Sequence, residues 1–351
     1  VRSTVLHILP HSGGGAEIYL QQLAALPVTQ RRMELSSSRS PLGAVPSIAV
    51  RWPRVAAATR HADLLHVHGD MAAILSLPMM RARPSVITTH GLHLLRRSEG
   101  TQLALARRAT RAAISLSRRT ICTSEAERDE LSEILSSSLR ARLVVVPNAP
   151  PAPPQAGTPD RAHAREQLDL APETVVALFI GQLEPRKDPL TAIAAADAAA
   201  AAGAPLILLV AGDGPLEGQV RAQAGPAVRV LGHRDDPETL FAAADILVMP
   251  SLREGQSLAV LEAMRDGLAV VVSDGPGNPE TVGETGVVVP VGDPKALADV
   301  LARLAADEAE RHRLGEAARA RAESHNSLER FQRRMAELYS ELLGVRVDVP
   351  A

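Results

Sequence analysis

Two carboxylates, Glu254 and Glu262, stand eight residues apart in the stretch SLREGQSLAVLEAMRDG, residues 251–267. Glu254 follows the apolar run ADILVMP and reads as a loop residue; Glu262 lies inside an amphipathic helix that Ser257 begins. The backbone N–H groups of Gln256, Ser257, Leu258 and Ala259 have no intrahelical partner there, and with the helix dipole they form a ready phosphate site. Gly255 lets that backbone come close to a ligand. The helix rises about 7.5 Å from Ser257 to Glu262, and the loop adds a few ångströms. That separation suits one elongated ligand, a sugar–diphosphate–ribose, whose hydroxyls donate to a carboxylate at each end. It also suits the acid/base pair of a glycosidase, and two solvated glutamates on a surface helix would share it.

Other turns carry complementary charge. FIGQLEPRKD places Gln182, Arg186 and Lys187 just after an apolar run, where cations would reach a diphosphate from the opposite side. Lys187 and Lys295 are the only lysines among 38 basic residues, so Lys187 is not simply the residue this chain puts on its surface. A solvated loop is the alternative for Arg186 and Lys187. VAGDGP, with Gly212, and SDGPGNPE, residues 273–280, are further glycine turns at strand ends. Each alone carries little weight; together they crowd one edge of one sheet.

The elements that must position these groups are short apolar runs separated by helical stretches. TVLHILP, DLLHVHG, SVITTH, RTICTS and RLVVVP precede the proline-rich segment 147–160, and TVVALFIG, LILLVAG, VRVLG, DILVMP, LAVVVSD and TGVVVP follow it. Continuous apolar strands alternating with helices mean parallel sheets buried on both faces. The reading is α/β: two Rossmann-like domains with parallel sheets facing across a cleft, their ligands at the carboxyl ends of the strands. Boundaries fall at residues 1–149 for the N-terminal domain, 150–160 for the linker and 161–326 for the C-terminal domain. A last helix over 327–345 is expected to pack back on the N-terminal domain. Residues 28–60 fit neither period clearly. A hydrophobic content of 46% over 351 residues supports two cores, built from Ala, Val, Leu and Ile because aromatics are only 2%.

Charge divides between the halves. Through Pro150 there are 19 arginines, no lysine and 10 acidic residues, whereas the remainder has 19 basic and 30 acidic ones. That split points to an anionic partner for the first half. Residues 94–120 hold seven arginines against one acidic residue. Arg96, Arg97, Arg107, Arg108 and Arg111 would give a weak contact with anionic membrane or a phosphorylated acceptor, or simply a solvated helix face. Nucleic acid is disfavoured by the scarcity of aromatic stacking residues. His66 and His68 alternate on one strand, with His66 expected near a strand end, and His90 and His93 follow another. No Cys or carboxylate completes a metal set with them. The single cysteine, Cys122, excludes an internal disulfide and suits a reducing compartment, and no run is long enough to span a membrane. A cytoplasmic protein, peripheral at most at the inner membrane face, is expected.

Taken together, GQLEPRKD, AGDGP, LGHRDDPETLFAAADILVMPS, the E-x7-E of EGQSLAVLEAM and GNPETV resemble the retaining GT-B glycosyltransferases of family 4, the group 1 glycosyltransferases. In the first half SGGGAE, VHG, THG, CTSEAE and VVVPNA fit the same pattern. The resemblance implies a hexosyl transfer from a nucleotide-diphosphate sugar to an acceptor, with the first domain serving the acceptor and the second the donor. It implies that Glu254 holds hydroxyls of the donor sugar and Glu262 the ribose. The amides after Gly255 would meet the sugar and diphosphate, and Lys187 would neutralise the leaving diphosphate. His90 would sit beside the sugar near the reacting carbon, Gly14 and Gly15 would approach the phosphate, and Glu17 would shape that glycine loop. No metal or other cofactor is expected, in keeping with the lack of an Asp-x-Asp pair. No carboxylate is placed as a covalent nucleophile, so same-face displacement with retention is expected. Two departures stand out. Gln182 occupies a place where the family usually has Arg, and Arg186 is expected to compensate. PNAP lacks the Gly and Asp that commonly follow Asn148.

Competing functions are a nucleotide-sugar isomerase or hydrolase on the same fold and a non-catalytic nucleotide-sugar binding protein. A nicotinamide dehydrogenase is disfavoured because HSGGGAEIY lacks the G-x-G-x-x-G spacing.

Overall fold

The computed structural model describes residues 2–11, 15–37, 41–152 and 159–349, with 41–44 described as helical backbone only. Gly14 and most of the expected linker lie outside the described residues. The chain divides into two compact units, residues 1–149 with 328–351, and residues 150–327.

The first unit contains β1 (Thr4–Leu9), β2 (Thr29–Glu34), β3 (Leu64–His68), β4 (Ser85–Thr88), β5 (Arg119–Cys122) and β6 (Leu143–Val145). The second contains β7 (Val175–Ile180), β8 (Leu206–Ala211), β9 (Val228–Gly232), β10 (Ile246–Met249), β11 (Ala269–Ser273) and β12 (Val287–Val289). Each set forms one six-stranded sheet, in the orders β2-β1-β3-β4-β5-β6 and β12-β11-β10-β7-β8-β9. Every pairing is parallel. Parallel strands need crossovers, and the intervening helices cover both sheet faces, so β7, β8 and β10 of the second sheet are apolar throughout, while β1 and β3 of the first carry buried histidines. In β10 and β11 every residue is buried.

Strand order reverses between β1 and β3 in the first sheet, and between β7 and β10 in the second. Helices leave to opposite faces at such a point, and the crevice they open at the carboxyl ends of the strands is where doubly wound sheets take ligands. The residues after β7 begin at Gly181 and those after β10 at Pro250, which are the two segments that carry the charged motifs.

Residues 28–60 form an edge strand and a helix. β2, TQRRME, is largely solvated, and the helix Pro41–Ala58 contains Pro46 and Pro53. The helix Leu328–Leu343 belongs to the first unit, where Phe331, Met335, Ala336, Leu338 and Tyr339 are buried with Val5, Tyr19, Leu64 and Val86. Among the described residues no helix is long and apolar enough to cross a membrane.

Candidate functional site

After β7 the chain packs backbone against backbone. Gly181 N–H donates to Ala211 O at 3.0 Å and Leu183 N–H to Asp213 O at 2.7 Å. Gly212 sits at φ +141°, and a Cβ there would lie 1.9 Å from Gly181 O, so only glycine fits. A 3-10 turn, Pro185–Lys187, follows. Asp188 at φ 50° then caps the helix Pro189–Ala201, its carboxylate accepting from Thr191 Oγ1 at 2.7 Å. This compact turn fixes the directions of Arg186 and Lys187.

The loop after β10 is held from beneath. Leu252 N–H donates to Arg186 O and Glu254 N–H to Pro276 O, both at 2.9 Å. Gly277, at φ +90°, lies so close that a Cβ would be 2.5 Å from the carbonyls of Glu254 and Gly255. Ser273 Oγ donates to Ser251 O, and Asn278 Nδ2 to Ser273 Oγ at 3.0 Å. Ser257 is the N-cap of the helix Leu258–Asp266, which ends at Gly267 in the left-handed region.

Glu254 is 5% exposed and carries two cations. Lys187 Nζ lies 2.6 Å from Oε1, and Arg186 Nη1 2.9 Å from Oε2. Burial works against the ionised carboxylate, but Lys187 and Arg186 outweigh it and pull its pKa down to about 2. Arg186 also meets Glu184, itself buried, at 2.8 Å. Its charge is therefore committed to two carboxylates, which leaves Lys187 as the cation shared with one partner only. Gln182 is exposed. The expectation that Arg186 replaces a missing arginine thus meets a guanidinium already held by Glu184 and Glu254. Glu184 was legible in the quoted GQLEPRKD, but nothing in the spacing showed that it would hold Arg186.

Glu262 stands about one turn into the helix, and burial raises its pKa to about 7 against the opposing pull of Arg265. The native carboxyl keeps its proton up to pH near 7 while the unfolded one loses it near 4.5, so stability falls as pH rises through that window. The full span is about 3 kcal/mol. Glu262→Gln, neutral throughout, should stabilise the second unit by about 2 kcal/mol at pH 8 and by little at pH 4. Urea melts at the two pH values measure this; equal effects at both would contradict it.

Gly15 opens the helix Gly15–Leu23 of the first unit, and Glu17 pairs with Arg32 at 2.7 Å. His90 lies after β4 in a turn with three successive positive φ values, 52°, 111° and 51° at His90, Gly91 and Leu92. Thr89 anchors that turn, donating from Oγ1 to the buried Glu127 at 2.6 Å. His66 is at the centre of β3, not near its end, and is fully buried between Tyr339 and Thr88. His7, His66 and His68 place ring nitrogens within 4.8 Å of one another. Of the five arginines assigned to a membrane contact, Arg96 is excluded: its side chain is 3% exposed and ion-paired to Glu130 at 2.9 Å. Arg111 donates to Ile134 O at 2.6 Å. Arg107 and Arg108 are exposed on the helix Gly100–Leu116.

Family models match both halves of the chain. Residues 9–149 match the family model for Glycosyltransferase Family 4, and residues 174–307 the model for Glycosyl transferases group 1. The chain is 29% identical over 317 residues to a D-inositol 3-phosphate glycosyltransferase of Salinispora arenicola, covering 82% of this chain and 70% of that one. It is 32% identical over 201 residues to a GDP-mannose-dependent monoacylated alpha-(1-6)-phosphatidylinositol monomannoside mannosyltransferase of Corynebacterium glutamicum. That match covers 54% of this chain and 52% of the relative, so the chain spans about half of the latter's length. Among solved structures, sucrose-phosphate synthase from Thermosynechococcus elongatus superposes with a TM-score of 0.79 at 23% identity, over 98% of this chain and 100% of that one. The Anabaena protein HepE, in complex with UDP-glucose, gives 0.79 at 20% identity over 96% and 100%. The two family matches together take in well over half of the sequence, and the chain belongs to the group 1, family 4 glycosyltransferases, with the paired parallel α/β units of the GT-B fold.

Proposed function

We propose that the protein transfers a sugar from a nucleotide-diphosphate donor to an acceptor, with retention of anomeric configuration and without a metal ion. The observation that carries this reading is Glu254. A buried carboxylate clamped by Lys187 and Arg186 lies after β10, beside the N-terminus of the helix Leu258–Asp266 and at the switch point of the second sheet. A surface helix with two solvated glutamates would show none of this.

In the proposed complex the helix amides from Gln256 to Leu258 meet the diphosphate, and Lys187 moves part of its charge from Glu254 to the leaving phosphate. Glu254 accepts from donor-sugar hydroxyls, and Glu262 accepts from the ribose. The bond from the anomeric carbon to the phosphate oxygen breaks as the acceptor oxygen bonds to the same face. The acceptor proton passes to the departing phosphate. Lys187 and the preorganised amides supply the charge stabilisation for which other enzymes use a divalent cation. The names of the relatives, an inositol phosphate glycosyltransferase and a mannosyltransferase, support the reaction class, and the UDP-glucose complex of HepE supports the donor class. Arg97, Arg107, Arg108 and Arg111, all exposed, are the part of the basic set that would meet an anionic acceptor or the inner membrane face.

Thermal-shift screening against UDP, GDP, ADP and dTDP and their sugars is the direct test, since a ligand that binds only the native state raises its melting temperature. One nucleotide family should do so, and the matching labelled donor should give a glycosylated product undiminished by EDTA. If no nucleotide diphosphate shifts the melt, the reading fails. Free sugar or an epimer in place of product would assign a hydrolase or isomerase, and binding without turnover a binding protein.

A further inference from the structure

His7, His66 and His68 are buried on the strands of the first unit. Parallel register sets His7 opposite His66, and the two-residue period of a strand puts His68 on the same face. Imidazoles in such a place must be neutral. Burial pushes His7 and His90 down to about 3, and His66 and His68 well below their ordinary range. A neutral ring has one N–H and one bare nitrogen, so rings in contact must alternate donor and acceptor.

The contacts form a chain that ends at the left-handed turn after β4. His7 Nδ1 lies 3.0 Å from His68 Nε2, and His68 Nδ1 lies 3.0 Å from His90 Nε2. His66 braces this chain from the side. Its ring stacks on His68 with centroids 4.2 Å apart, and its two nitrogens meet Tyr339 Oη and Thr88 Oγ1, each at 2.7 Å. The rings of His68 and His66 therefore have no nitrogen left over.

Two proton arrangements satisfy the chain, one with every N–H directed toward His90 and one with every N–H directed away. The second would put an N–H on His7 Nε2, which is buried and has no partner. A buried N–H without an acceptor is rarer in folded proteins than an acceptor left without a donor. The first arrangement leaves only a bare nitrogen there. Under it His90 accepts at Nε2 and carries its own proton on Nδ1, the nitrogen outside the chain. His90 is partly exposed, and its backbone is fixed in the left-handed region.

We propose that His68, backed by His7 and braced by His66, is a positioning residue that holds His90 in the Nδ1–H tautomer, so that the turn after β4 presents an imidazole N–H as a donor to substrate. The identity of the ligand rests on the transferase reading above; the tautomer does not. The hydrogen bond at one ring nitrogen setting the proton on the other is a general property of histidine.

The test uses the whole protein labelled with ring nitrogen-15 histidine, with long-range proton–nitrogen correlation spectra recorded before any substrate is added. His90, assigned through His90→Gln, should show a protonated Nδ1 and a bare Nε2. In His68→Phe it should revert to Nε2–H, with kcat down about ten-fold and donor KM little changed. His68→Asn, whose amide N–H stands where Nδ1–H stood, should restore both tautomer and rate. A wild-type His90 protonated on Nε2 overturns the proposal, whether or not the variants fold. So does one zinc ion retained per chain on the nitrogens of His7, His66 and His68. An unchanged tautomer in folded His68→Phe overturns it as well. The predicted tautomer in a protein that turns over no nucleotide sugar would overturn the transferase reading, and with it the role assigned to His90.

Discussion

Glu254→Gln should bind nucleoside diphosphate at least as tightly as the wild type while its sugar transfer falls by about ten- to a hundredfold. The first half of that expectation follows from charge. Glu184 and Glu254 face Arg186 and Lys187, so the cluster is neutral as it stands. Removing one carboxylate leaves it with one net positive charge, and Lys187 loses the partner that competes with an entering phosphate. The second half follows from the sugar hydroxyls, which lose a charged acceptor worth about 1.5–3 kcal/mol. Stability should also fall, by about 3 kcal/mol, because one half of a buried pair is left behind; Arg186 keeps Glu184 and limits the damage. Calorimetric titration with the nucleotide and steady-state transfer, on the same preparation, separate the two effects. Transfer at the wild-type rate would show that Glu254 is a structural clamp for two cations and not a sugar ligand.

Lys187→Ala removes the opposite member, and comparison with Glu254→Gln tells binding from clamping. Without Lys187 the diphosphate loses the cation of this cluster that is not divided between two carboxylates. Both affinity and rate should fall there, whereas in Glu254→Gln only the rate does.

The sheets were readable because parallel strands buried on both faces leave unbroken apolar runs, as in VVALFI of β7 and LILLVA of β8. The two acids and Lys187 were readable because a cationic turn and a helix start are local features. Residues 28–60 were not, for two physical reasons. β2 is an edge strand whose polar residues face water, which erases the apolar run. The helix after it keeps Pro46 and Pro53, residues that normally argue against a helix interior. The pairing of Arg186 with Glu184 as well as Glu254 depends on how a 3-10 turn folds back, and no periodicity encodes it. The histidine chain is hidden for a similar reason. The alternation of His66 and His68 is visible within β3, but His7 joins them only through the register of β1 on β3, and His90 only through a left-handed turn.

Those histidines also set how the first unit meets acid. Four imidazoles, His7, His66, His68 and His90, are held neutral in the folded state and take up protons near pH 6.5 when unfolded. Their folded pKa values are depressed, so the unfolded chain binds more protons below pH 6.5 and stability is lost as the pH falls. Each contributes about 1.4 kcal/mol per pH unit, so together they cost about 5 kcal/mol per unit once the unfolded forms are charged. By pH 5 the loss is about 8 kcal/mol, comparable with the whole stability of an ordinary domain. Asp70, whose burial raises its pKa, acts in the opposite sense, but it is one group against four. The second unit has no such set among its described residues, and Glu254 withholds its destabilising effect until the pH falls below the ordinary carboxylate range. The first unit should therefore unfold near pH 5 and ahead of the second. Trp52, the one tryptophan of the chain, reports on the first unit alone, from a helix where its Nε1 donates to Leu75 O at 2.9 Å. Its fluorescence should change near pH 5 while part of the circular dichroism persists to lower pH. His7→Leu, which removes one of the four groups, should lower the slope by about a quarter. A tryptophan transition below pH 4 would mean that the buried rings accept protons without unfolding and that their neutrality is not what holds the first sheet together, whereas one near pH 5 that coincides with loss of all helical signal would mean that the second unit does not outlast the first.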